Sequence, residues 1–137
     1  MGFKRSDVFQ SNYLGRPQSG QEPVGFPYTF SAESNTGVPS GLDFDNDGAV
    51  GGGADALGFG EFPGQYGMAL FSRFPIDAAR VRSFRKFLWR DMPGAMLPDR
   101  SETPLPADWY SPAELAVLPL SSKSHWDVRV NLGARTL

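Results

Sequence analysis

The segment "FPGQYGMALFSRFPI", residues 62–76, carries the clearest strand pattern in the chain. Met68 to Phe71 form an unbroken apolar run, with Gly64 before it and Pro75 after it. Glycine loosens the backbone and proline removes a ladder donor, so the two bound an extended piece. A strand is expected over "QYGMALFSRF", 65–74. The shorter "YTFSAES", 28–34, alternates in the same way and reads as a second strand.

Between them lies a long glycine-rich stretch, 35–64, with no periodic pattern. A loop of that length inside a compact domain is usually functional or held by a metal. Downstream, "DAARVRSFRKFLWRD", 77–91, fits two periods. Val81, Phe84, Phe87 and Leu88 make a helical face with Asp77 as N-cap, and Val81, Ser83 and Arg85 equally make one face of a strand. Residues 92–112 read as a Pro-rich loop. "ELAVLPL", 114–120, and "WDVRVNL", 126–132, read as two strands joined by "SSKSH". At the start, Phe3, Val8, Phe9 and Tyr13 give residues 1–14 the pattern of a short amphipathic helix.

The composition supports a loop-rich, strand-containing domain. Gly (16) and Pro (12) together make up about a fifth of the 137 residues, too much for a helical bundle. Aromatic residues reach 13%, so a core can be built. The net charge of −2 leaves no global basic footprint for nucleic acid. The charge is uneven, however. Residues 31–66 hold Glu33, Asp43, Asp45, Asp47, Asp55 and Glu61 with no Lys or Arg, and the later part is mildly basic. Cysteine is absent, which excludes disulfides and thiolate chemistry. No apolar run approaches the length of a membrane span. "MGFKRSDVFQSNYL" has no hydrophobic signal-peptide core, and Met1-Gly2 is too little for a myristoylation motif. The compartment stays open, with a secreted or extracellular full-length protein among the alternatives.

The acidic part contains "GLDFDNDGAVGGGAD", 41–55. Asp43, Asp45 and Asp47 followed by Gly48 match D-x-[DN]-x-[DN]-G, the opening of an EF-hand calcium loop. The Ala49 carbonyl takes the seventh position. The twelfth should be acidic and is Ala54, with Asp55 one place late, and the flanks are not helical. A Ca²⁺ loop outside a true EF-hand is therefore expected, with Asp43, Asp45, Asp47, Ala49 and Asp55 as ligands. Such oxygen-rich loop calcium is mostly structural.

His125 is the sole histidine and makes no zinc site without a Cys or second His. It would pair with Asp127 as a general base only in a bent strand. Lys123, between Ser122 and Ser124, is a candidate anion contact.

Taken as a set, the pieces resemble a known family. They are "VFQSNYL" (8–14), "YTFSAESNTGVPSGLDFDNDGAVGG" (28–52), "DALGFGEFPGQYGMALFSRFPID" (55–77), "KFLWRDMPGAMLPD" (86–99), "DWYSPAEL" (108–115) and "SSKSHWDV" (121–128). The chain resembles a bacterial branch of the endonuclease/exonuclease/phosphatase family, the DNase I-like fold, with a DxDxDG insertion. The resemblance implies an α+β fold, a four-layer α/β sandwich with flanking helices, and hydrolysis of phosphodiesters or phosphomonoesters with Mg²⁺ or another divalent cation. It places Gln65 and Tyr66 where relatives contact substrate; Lys123 and His125 are further candidates by residue type alone. The family's metal-binding Glu and catalytic His and Asp residues match no position here, since the first His would follow the strand opening at Arg135. Residues 1–137 are thus expected to be the middle portion of an incomplete domain, with a loop insertion at about 35–64 and no activity alone. A phosphate-ester substrate is implied and nucleic acid stays open. A non-enzymatic calcium-binding module of the same shape is the alternative. A third is a partial product with no fold of its own, whose unpaired strand edges would self-associate.

Overall fold

The computed structural model describes residues 5–134. Its elements are short: α1 (Arg5–Phe9), a π-helical turn (Gln10–Leu14), β1 (Tyr28–Phe30), β2 (Leu70–Ser72), a 3₁₀ turn (Ala78–Arg80), β3 (Arg82–Ser83), a second 3₁₀ turn (Trp89–Asp91), α2 (Pro112–Leu115) and β4 (Trp126–Asp127). Few helices and two two-stranded sheets, β1-β2 and β3-β4, make this an α+β chain. Among the described residues no helix is long and apolar enough to cross a membrane. The chain folds as two units, the first comprising 1–32, 68–82 and 127–137, the second 33–67 and 83–126.

In the first unit, β1 and β2 pair antiparallel, with Tyr28 opposite Ser72, Thr29 opposite Phe71 and Phe30 opposite Leu70. Phe71 is the packing centre. Its ring lies 5.7 Å from Phe9 and 6.2 Å from Phe26, and Phe9 stacks on Tyr13 at 5.4 Å. A five-residue helix is not stable by itself. Here Gln10 secures it: its amide nitrogen donates to the Val24 carbonyl at 2.9 Å and its amide oxygen accepts from the Phe26 N–H at 3.1 Å. The segment 75–77 pairs with 129–131 through the Asp77 N–H to the Arg129 carbonyl and the Asn131 N–H to the Pro75 carbonyl. Arg82 and Asp127 form an exposed ion pair.

The second unit is organised around buried polar groups. Asn35 and Thr36 are each 2% exposed, and the buried apolar side chains are Phe44, Ala56 and Leu118. The Asn35 amide donates to the carbonyls of Arg85 and Ser121, both at 2.8 Å, and its backbone N–H donates to the Lys123 carbonyl. Three chain segments are thereby joined at one side chain. Arg85 adds a bond to Glu33 at 2.9 Å. The backbone itself approaches closely at Gly58, where a Cβ would stand 1.9 Å from the Ser122 carbonyl oxygen.

The strand expected over 65–74 is ordered as a strand only at 70–72. Residues before it are turns instead: Gly64 has φ +86° and Tyr66 φ +57°, and the Gly67 N–H donates to the Gly64 carbonyl. Left-handed backbone cannot continue a ladder. Residues 28–34 likewise pair only over 28–30. The expectation of a strand at 114–120 is overturned at its first half. Ser111 accepts from the Glu114 N–H and Glu114 accepts from the Ser111 N–H, a capping box with Pro112 in the first turn, so 112–115 starts a helix. The second half does extend: the Trp89 N–H donates to the Leu118 carbonyl and the Leu120 N–H to the Phe87 carbonyl. The doubly readable 77–91 resolves as turn, two-residue strand and turn, with no side-chain cap from Asp77. "WDVRVNL" is a strand at 126–127, with Val130 in an isolated bridge to Ile76. Phe3, in the expected first helix, and the strand opening at Arg135 lie outside the described residues.

Candidate metal centre

The aspartate loop lies wholly in the second unit. Asp43, Asp45 and Asp55 each bring a carboxylate oxygen within 4.8 Å of the others. Asp55 is the anchor at 3% exposure. Its Oδ1 accepts from the backbone N–H groups of Phe44 at 2.6 Å and Asp45 at 3.4 Å, and its Oδ2 accepts from Gly51 at 2.8 Å. Asp43 closes the turn by accepting from the Asp47 and Gly48 N–H groups at 3.1 and 3.0 Å. Asp45 also accepts from the Asp47 N–H at 3.1 Å. The sequence folds this way because Asn46 and Gly48 take left-handed backbone, φ +61° and +90°, which these two residue types tolerate best.

The electrostatics of the three acids differ. The hydrogen bond from Gly51, assisted by those from Phe44 and Asp45, holds the Asp55 carboxyl below the usual carboxylate range against the opposing effect of burial. Asp45 moves the other way: lost hydration raises it, and the charges of Asp47, Asp55 and Asp43 add to the rise against the Asp47 N–H. Clustered carboxylates of this kind repel one another, and a divalent cation relieves the repulsion. Carboxylate oxygens suit hard cations such as Ca²⁺ and Mg²⁺, and each carboxylate retains acceptor capacity beyond its backbone donors. The donor set therefore fits a divalent ion.

The other candidates are distributed differently. Asp47 stands outside the triad, and its Oδ1 accepts from the Ala49 N–H at 2.8 Å. Asp55, one place late in the EF-hand count, is the third member of the triad. Gln65 is half-buried, and its amide oxygen accepts from the Glu61 N–H at 2.6 Å. Tyr66 is exposed and stacks on Phe59, centroids 6.3 Å apart. Lys123 and His125 are exposed on a turn where the Lys123 carbonyl accepts from Asn35 and the His125 carbonyl from the Phe84 N–H. The Asp127 carboxylate is engaged by Arg82.

Sequence reasoning missed Arg100. Its guanidinium lies 5.6 Å from the Trp109 ring centre and donates to the Asn46 side chain at 2.5 Å, tying the Pro-rich loop to the aspartate loop. Nearby, Asp108 accepts from the Thr103 hydroxyl and from the Arg100 N–H, and these bonds hold its carboxyl low. Nothing in the spacing of 46, 100 and 109 announces this contact.

The chain matches the family model described as Endonuclease/Exonuclease/phosphatase family over residues 8–134, and it belongs to that family. Members are metal-dependent phosphoesterases. No curated protein and no solved structure matches the chain.

Proposed function

We propose that this chain is the middle portion of a metal-dependent phosphoesterase domain of the DNase I-like, four-layer sandwich type. Its 43–55 loop is an insertion that binds Ca²⁺ for structure. The family match over 8–134 carries the hydrolytic reading, and the clustered carboxylates of Asp43, Asp45 and Asp55 support the cation. Asp55 favours a structural ion over a catalytic one, because its carboxylate already organises the backbone of residues 44, 45 and 51.

The family's catalytic Mg²⁺ has no matching Glu among these residues, and no hydrolytic step is assigned to them. When bound, that ion takes up charge developing on the phosphate. What this chain contributes is positioning. Gln65 accepts through its oxygen and offers its amide N–H groups to a phosphate oxygen, with Tyr66 beside it and Lys123 and His125 as further contacts. Among the described residues no general base is set beside these contacts, and no activity is expected of the chain alone.

Two assays test this. A phosphodiester and a phosphomonoester reporter, bis- and mono-p-nitrophenyl phosphate, should be stable to the chain with Mg²⁺ and cleaved once its natural flanking sequence is restored. Failure of the longer protein on both reporters removes the hydrolase reading. Separately, Ca²⁺ should raise the melting temperature, by about 2.7 kcal/mol of stability at a hundredfold excess over Kd, and Asp45→Ala should abolish that rise. A Ca²⁺ response without hydrolysis favours the calcium module.

A further inference from the structure

The second unit contains a cavity of about 410 Å³ that the hydrolytic reading does not use. Phe44, Trp89, Trp109 and Tyr110 line it, together with aliphatic side chains, Asp45 and Ser122. The rings are not stacked flat. Tyr110 meets Phe44 at 77° with centroids 5.9 Å apart, and meets Trp89 at 61° and 6.4 Å. Four aromatic rings border one space. The face of an aromatic ring carries negative quadrupole charge. Asp45 adds a full negative charge to the lining, and the carboxylates of Asp43 and Asp55 lie within 4.8 Å of its own. Among the described residues no Lys or Arg lines the cavity.

Arg100 stands outside this lining, and its guanidinium over the Trp109 ring shows that one wall already draws a cation. The volume falls within the range of small-molecule sites, roughly 300–1,000 Å³. An anion would meet Asp45. A hydrated metal ion would gain little from the rings. A neutral apolar molecule would leave the carboxylate unused. We propose that the cavity binds a small organic cation of the alkylammonium class, held by cation–π contact and by Asp45. The proposal does not require a metal in the loop.

The probe is choline chloride, titrated into the full chain in EDTA at constant ionic strength. Tryptophan fluorescence and calorimetry give the readout, and circular dichroism verifies the fold. The neutral control is 3,3-dimethylbutan-1-ol, which has the same shape without the charge. Choline should bind about tenfold more tightly than this alcohol, in line with a desolvated cation–π contact. Asp45→Asn keeps the oxygen that accepts from the Asp47 N–H. It should weaken choline about tenfold and leave the alcohol unchanged. Equal affinity for the two probes, no choline binding by folded chain, or an unchanged Asp45→Asn affinity would each overturn the proposal. Calcium binding and hydrolysis are scored apart from this titration, so their outcome does not decide it.

Discussion

The two units are held by different means. In the first, Phe9, Tyr13, Phe26 and Phe71 stack against a three-residue strand pair. In the second, the buried set is mostly polar: Ser34, Asn35, Thr36, Asp55, Glu114 and Ser124, against Phe44, Ala56 and Leu118. Order in the first unit thus depends on apolar area. In the second it depends on satisfied hydrogen bonds and close backbone approach. A buried polar network is stable only when every member is paired, so the second unit should tolerate change least.

The largest effect is expected where that contrast is sharpest. Gly58→Ala would place a Cβ 1.9 Å from the Ser122 carbonyl, and either the backbone shifts or the unit fails to close. A loss of about 3 kcal/mol or more is expected by denaturant unfolding, at the upper end of overpacking costs. Gly25→Ala in the first unit meets nothing within 4 Å and should change stability by less than about 1 kcal/mol. Similar losses at both positions would break the comparison.

Phe71→Ala tests the other side. It removes the ring shared by Phe9 and Phe26, and a loss of about 2–3 kcal/mol is expected because Phe71 is only half-buried. Hydrogen exchange should show the loosening at residues 28–30 and 70–72, with Asn35 protection unchanged.

Ionisation separates the units further. The Asp55 carboxyl is held lower in the folded chain than the ordinary value of about 3.9. A lowered folded pKa means that its stabilisation is complete above the unfolded pKa and is lost as pH falls through the folded one. Melting temperature should therefore fall in acid below about pH 4, and Asp55→Asn should remove that component while lowering stability at neutral pH. An acid profile identical in the variant would show that the loop does not depend on this carboxylate.

The smallest effect should come from Arg82→Ala. The ion pair with Asp127 is exposed, and such pairs contribute about 0–1 kcal/mol. A larger loss would mean that the first unit also relies on charge.

Much of this was visible in the residues, and the failures have specific causes. Alternation located β1 and an apolar run β2, but not how short they are; ahead of β2, Tyr66 takes left-handed backbone for a turn. The Asp-Gly spacing located the acidic loop. It named Asp43, Asp45, Asp47, the Ala49 carbonyl and Asp55 as ligands; Asp43, Asp45 and Asp55 bring their carboxylates together, while the Asp47 carboxylate accepts from the Ala49 N–H. Spacing describes local reach, and burial of Asp55 is set by the tertiary fold. "ELAVLPL" misled because apolar density outweighed a Ser-Pro-Ala-Glu helix start lying just before it. The aromatic cavity was illegible, since Phe44, Trp89 and Tyr110 meet only in space.

Asn35 has a consequence for heat. Exposing apolar surface raises the heat capacity on unfolding, and exposing polar surface lowers it. The buried amide of Asn35 and hydroxyl of Thr36 therefore lower the heat-capacity increment of their unit when it opens. Each such group flattens the stability curve a little. The amide proton of Asn35, donated to Lys123 inside that network, becomes a natural reporter of the opening across the whole temperature range.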